Sequence, residues 1–215
     1  MLKTDLLKAF KPYYSARLKP GHKLTEPGEF LSIMGRASST GADFTERMRA
    51  LRATALELRK LSRAGGVDFA VPRLEVLWES SHARRLTASS AGVSQAVAVG
   101  DRGYCLMLRM PGFVTKAMVD LATRQVRAEG LALAAEVELH ARLAERVVQV
   151  LHRGSALQKP LSLERLDIFM RENCLVQDGP CHEIYLSDPG DDVSAMRIII
   201  RLPVRKQGAG GIRLR

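Results

Sequence analysis

The sequence predicts an α+β fold in which a strand-helix-strand-strand unit occurs twice, forming two antiparallel sheets with helices outside and a central ligand groove where the halves meet. Three observations predict it. A helical stripe of Phe44, Met48, Leu51, Ala55, Leu58 and Leu61 follows one strand-like run and precedes two others. A second amphipathic stretch, with Leu163, Leu166, Phe169 and Met170 inward, has the same neighbours. Turn signals separate all of them.

In chain order, Phe30 to Gly35 reads as a strand and Ser38 to Gly41 as a polar turn, with Asp43 available to cap the helix that follows. That helix runs to about Arg63 and stops at Gly65-Gly66. Phe69 to Trp78 and Tyr104 to Met110 are the next strands, and residues 80 to 103 between them form a long connection. Pro111 ends the second strand, Thr115 caps a helix through about Ala128, and Gly130 follows it. In the second half, strands at Glu136 to Arg142 and Glu145 to Arg153 precede a helix starting at Ser162. Strands at 181 to 187 and 196 to 204 follow, joined by a Pro189-Gly190-Asp191-Asp192 turn. The expected organisation is one domain over 1 to 205, its halves at about 25 to 112 and 135 to 205. A flexible basic tail over 206 to 215 carries the Gln207-Gly208-Ala209-Gly210-Gly211 run.

Composition excludes several functions. The formal charge of +10 is concentrated at the ends, where Lys3, Lys8, Lys11, Arg17, Lys19 and Lys23 face only Asp5, and Arg201, Arg205, Lys206, Arg213 and Arg215 face no acid. No zinc finger, recognition helix or aromatic-plus-basic strand pair accompanies this excess, so direct nucleic-acid binding is not expected. Cys105, Cys174 and Cys181 are odd in number and form no CxxC pair, which points to a reducing, cytoplasmic setting. No apolar run approaches the ~20 residues of a membrane span, and the start lacks a secretory signal. The five histidines show no HExxH spacing. A GxSxG elbow and nucleotide loops are absent as well, so neither metal nor cofactor is expected.

The octet His182-Glu183-Ile184-Tyr185-Leu186-Ser187-Asp188-Pro189 carries the chemistry. In an extended chain Glu183 and Tyr185 share one face while Ile184 and Leu186 share the other. If the first face lines a hollow, a carboxylate and a phenol floor it, which suits a flat, cationic or electrophilic organic ligand. If it lies on an edge strand, Glu183 faces water. His182 alternates away from Glu183, toward packing or the rim. Glu75 is a weaker second carboxylate; placed as the counterpart of Glu183, it turns Trp78 toward the helices.

Five segments together resemble the GyrI-like small-molecule-binding proteins: Lys11-Pro12-Tyr13-Tyr14, Val71-Pro72-Arg73-Leu74-Glu75-Val76-Leu77-Trp78, Met110-Pro111-Gly112-Phe113-Val114-Thr115, the octet at His182, and Ile200-Arg201-Leu202-Pro203-Val204. The likeness covers roughly residues 5 to 205. It implies the tandem fold, a central pocket, a buried glutamate at Glu183 and aromatic walls. In transcription factors such a domain follows a DNA-binding module. This chain looks like a stand-alone member, some of which are cyclopropyl hydrolases that open the strained ring of DNA-alkylating, duocarmycin-type compounds, while others only bind and sequester. Where relatives carry paired tryptophans this chain has Trp78-Glu79, and where they place tyrosines on the first helix it has Arg52 and Leu56.

The resemblance therefore implies a hydrophobic aromatic small molecule as partner, in self-resistance or detoxification, with no membrane partner and no set oligomeric state. Glu183, beside Tyr185, would orient or deprotonate a water that attacks the ring, a general-base role commonly worth ~100- to 10,000-fold. With eleven aromatics in the chain, the cage draws first on Tyr104, Trp78 and Tyr185, then on Phe44, Phe113 and Phe169. Each has a plain alternative: Tyr104 as a core or edge tyrosine, Trp78 as core, Phe44 and Phe169 as ordinary members of helical stripes. Tyr13 and Tyr14 are available to close the pocket from the N-terminal arm. The alternative function is sequestration without chemistry.

Overall fold

A computed structural model describes residues 2–36, 41–79, 103–187 and 196–208. Its elements are β1 (Leu2–Thr4), α1 (Leu6–Ala9), β2 (Gly21–Leu24), β3 (Gly28–Arg36), α2 (Ala42–Ala64), β4 (Val67–Phe69), β5 (Glu75–Trp78), β6 (Gly103–Met110), α3 (Lys116–Ala128), β7 (Glu138–Arg142), β8 (Arg146–Arg153), α4 (Lys159–Glu172), β9 (Leu175–Gln177), β10 (Cys181–Tyr185) and β11 (Arg197–Lys206).

Local chemistry accounts for most of these limits. Thr115 caps α3 by accepting the Met118 N–H, and Gly130 beyond its end has φ +97, a conformation other residues resist. In α2 the expected stripe is the buried one, with Leu51, Ala55 and Leu58 fully enclosed. The 69–78 run is broken instead of continuous. Pro72 offers no N–H to a ladder, so β4 ends at Phe69 and pairs in parallel with β1, and β5 starts afresh at Glu75.

Two helix starts differ from expectation. Gly41, not Asp43, is the N-cap of α2, which leaves the Asp43 carboxylate in the first turn free to bond elsewhere. α4 begins at Lys159 with Pro160 in its first turn, and Ser162 lies inside it, buried, its hydroxyl 3.0 Å from His152 Nδ1. The 80–103 connection, apart from its last residue, and the Pro189-to-Asp192 turn fall outside the described residues. So does most of the tail, although β11 continues to Lys206 and the Gln207 N–H donates to the Cys174 carbonyl.

The α+β architecture is as expected. The sheets of the halves are fused along a shared edge: β10 pairs antiparallel with β5, making one sheet ordered β2-β8-β11-β10-β5-β6-β3-β7, with β9 on β11. Directly paired residues point the same way, so the register Glu183↔Val76, His182↔Leu77 and Ile184↔Glu75 assigns every seam residue to a face. On one face α2 and α3 pack Phe44, Leu51, Leu58 and Val119 against Leu31, Ile33, Val76, Leu106 and Leu108. On that same face α4 packs Leu166 and Met170 against Val148, Val150, Ile198 and Ile200. The opposite face is covered by the N-terminal arm, whose Tyr13 and Tyr14 lie over Phe30, Met107, Leu151, Ile184 and Ile199.

Candidate ligand site at the seam of the halves

Glu183 lies in the middle of β10, on the helix-bearing face, 6% exposed. Lys159, the first residue of α4, places its Nζ 2.9 and 3.1 Å from the two carboxylate oxygens. The Tyr185 hydroxyl donates to Oε2 at 2.8 Å. Burial, reinforced by the adjacent Glu183 charge, pushes the Tyr185 pKa far above the ordinary phenol range, so this hydroxyl stays a donor. A carboxylate offers about four acceptor sites, two on each oxygen. Lys159 and Tyr185 fill both on Oε2, and among the described residues nothing else donates to Oε1, which has one site open for a water or a ligand donor.

Beside the carboxylate on the same face lie Val76 and Trp78 of β5, paired with Glu183 and Cys181. Trp78 stacks on Phe44 of α2 at 6.2 Å between ring centroids and 5° between planes, and Tyr104 of β6 stands 5.1 Å from Phe44 and 5.8 Å from Trp78. Tyr104 is enclosed, its hydroxyl donating to Asp43. That bond, with Arg47 beside it, holds the Asp43 pKa below the usual carboxylate range. Trp78 is half-buried, and its indole Nε1 is buried without a hydrogen-bond partner among the described residues. The site thus combines one acid, one ammonium, one phenol and a ring cluster with a donor to spare.

Of the residues singled out from sequence, Glu183 and Tyr185 are hydrogen-bonded to each other, and Trp78, Tyr104 and Phe44 form one cluster on the same face of the sheet. Phe113 and Phe169 stand apart. Phe113 meets Phe69 at 6.0 Å, and Phe169 meets His22 of strand β2 at 5.2 Å. Lys159 was missed by sequence reasoning; its only signal was that a buried carboxylate needs a cation, and several amphipathic segments offer one. Asp43 was noted as a cap and serves instead as the Tyr104 anchor.

Glu75 is not the spatial counterpart of Glu183: the seam register turns it to the opposite face, fully buried. It accepts from Tyr13 at 2.6 Å, Tyr14 at 3.3 Å and His182 Nε2 at 2.8 Å. Burial works to raise its pKa, but the His182 and Tyr13 hydrogen bonds and nearby Arg201 outweigh it and hold the group below the ordinary range. Burial lowers the His182 pKa, so a neutral imidazole donates Nε2–H to a carboxylate whose charge is balanced by Arg201. Tyr13 and Tyr14 are spent in this network and close nothing over Glu183.

Among the described residues no cluster of His, Cys, Asp or Glu has metal-binding geometry, and no helix is long and apolar enough to cross a membrane. No family model and no curated protein matches the chain. Solved structures do. A hydrolase from Listeria innocua is 25% identical with TM-score 0.78, the match covering 94% of this chain and 99% of that one. A conserved protein from Listeria innocua is 26% identical with TM-score 0.81 over 94% and 99% of the two chains. The EcmrR C-terminal domain, 13% identical with TM-score 0.50 over 87% and 98%, shares the fold alone. These likenesses support a GyrI-like fold.

Proposed function

We propose that this protein binds flat, hydrophobic organic molecules over the β5–β10 seam and hydrolyses the cyclopropane of duocarmycin-type alkylators held there. The observation that carries the reading is the buried Glu183 carboxylate with an open acceptor site on Oε1, on the face that also bears Trp78, Phe44 and Tyr104. The neighbours named hydrolase are consistent with a catalytic role.

In the reaction, a water held on Oε1 of Glu183 attacks the free methylene carbon of the ring. The C–C bond between that methylene and the ring carbon conjugated with the dienone breaks, and its electron pair passes through the dienone to the carbonyl oxygen, which becomes a phenolate as the ring system regains aromaticity. Glu183 takes the proton lost by water, and the phenolate takes one back, so the sum is addition of one water. Lys159 holds the carboxylate in place and Tyr185 restrains its rotation, while the Trp78 Nε1–H beside them has no partner of its own among the described residues.

A sequestering protein without chemistry is the second reading, and one observation favours it: Lys159 already engages both oxygens of Glu183 and competes with water for them. Incubation with a cyclopropanoid alkylator separates the two. Product heavier by one water, lost in Glu183→Gln while Trp78 fluorescence still reports binding, supports hydrolysis. Saturable quenching of Trp78, the single tryptophan, with the compound recovered intact establishes sequestration.

A further inference from the structure

We propose that a cavity lateral to the seam binds an amphiphilic monocarboxylate through Arg109. The cavity, about 520 Å³, opens between α1 and the ends of β3, β6 and β7, and its walls include Leu6, Phe10, Phe113 and Leu143 together with Arg109 and Arg142. None of its lining comes from β5, β10 or α4. A volume of this size suits a small organic molecule.

Arg109 is what gives the cavity a preference. Its side chain is 1% exposed and lies between the Phe10 ring, 3.8 Å from the guanidinium carbon, and the backbone of Gly28, where a Cβ would come within 2.8 Å of Nη2. Nη2 donates to the Pro27 carbonyl at 2.6 Å, while Nη1 is buried and has no hydrogen-bond partner among the described residues. No carboxylate is ion-paired with Arg109 among those residues. A buried cation served by one neutral carbonyl and by the faces of Phe10, Tyr13 and Phe30 lacks the acid that such a group ordinarily has.

Arg201, the other buried arginine, also has an Nη1 without a partner among the described residues, but it lies under the influence of the Glu75 charge and donates both to Gln149 Oε1 at 2.8 Å and to the Tyr13 carbonyl. Arg109 has a cavity where Arg201 has an acid. The missing partner of Arg109 is therefore an anion whose remainder is apolar enough for the Leu6, Phe10, Phe113 and Leu143 walls. Glu29, also in the lining, disfavours a dianion, and Arg142, paired with Glu145 at 2.8 Å, supplies a second cation near the mouth. Entry of the head group requires the Phe10 ring, which follows the four-residue α1 and lies over the guanidinium, to turn aside.

The test is titration calorimetry of the full chain with decanoate, decanol and decyltrimethylammonium. Saturable decanoate binding, about tenfold or more tighter than either analogue, is expected, because the head group is recognised by charge. Leu143→Glu, at an 80% exposed position on the rim, and Arg109→Met, which keeps the stacked volume without the charge, each weaken decanoate about tenfold. Glu183→Gln leaves decanoate unchanged. No decanoate binding, decanol bound as tightly as decanoate, or wild-type affinity in Leu143→Glu overturns the proposal. Loss in Glu183→Gln does so too, since it places the ligand at the seam. If Arg109→Met fails to fold, Leu143→Glu decides alone.

Discussion

The two acids of the seam, Glu75 and Glu183, sit on adjacent paired strands and face opposite sides of one sheet. Glu75 is enclosed by the N-terminal arm, and its three hydrogen-bond donors, Tyr13, Tyr14 and His182, are themselves buried. Glu183 is as well buried, but its cation is a lysine whose side chain is 22% exposed, at the first turn of a helix, and one of its acceptor sites stays open. The difference teaches that burial alone does not decide whether a carboxylate can still accept a further donor. What separates the two is whether the partners are locked and whether a lone pair is left over.

The comparison predicts unequal responses to the same kind of substitution. Glu183→Gln is expected to lower turnover of a cyclopropanoid by ~100- to 10,000-fold in a mass-based assay, with little loss of thermal stability. Glu75→Ala strips three donors of their acceptor and leaves Arg201 without its counter-charge, so denaturant titration is expected to show a loss of about 3–5 kcal/mol. If the two variants exchange phenotypes, the assignment of faces to roles is wrong.

Acid separates the faces as well. His182 has a lowered pKa, so the unfolded chain binds more protons than the folded one below the ordinary histidine value of 6.5. Glu75 is also lowered, and its contribution is complete above 4.5 and disappears as pH falls through its lowered value. Both signs agree: unfolding free energy declines on acidification, starting near 6.5. His182→Gln is expected to flatten the upper part of that decline, and an unchanged profile would remove the neutral imidazole from the account.

Smaller effects are expected from the residues around Glu183 and on the outer strand. Lys159→Met leaves Glu183 without its ammonium, and a flat cationic dye is expected to bind about tenfold tighter, read by Trp78 quenching. Phe169→Ala, against His22 on the outer strand, is expected to change seam affinity less than about twofold. A larger change would bring that ring back into the cage.

Much of the fold was legible because its signals are local. Gly65-Gly66, Pro111 and Thr115 end or start elements by their own backbone chemistry, and the Phe44-to-Leu61 stripe needs only helical periodicity. The facing of Glu75 was not legible, since it depends on which residue of β10 lies opposite it, and a register is a long-range fact. Glu183 and Tyr185 could be placed together by alternation within one strand. Lys159 could not, because it meets Glu183 only when α4 and β10 pack. Tyr13 and Tyr14 do not close the pocket as expected, because the path of the arm carries them across the other face of the sheet to Glu75.

The fusion of β5 to β10 has a consequence for how such a protein changes over time. Because the halves are joined by main-chain hydrogen bonds between β5 and β10, the spacing of the residues along the seam is set by the backbone pairing. Chemical taste is then written almost wholly in the side chains that project from a fixed frame. New preferences can be acquired one residue at a time without re-solving the folding problem.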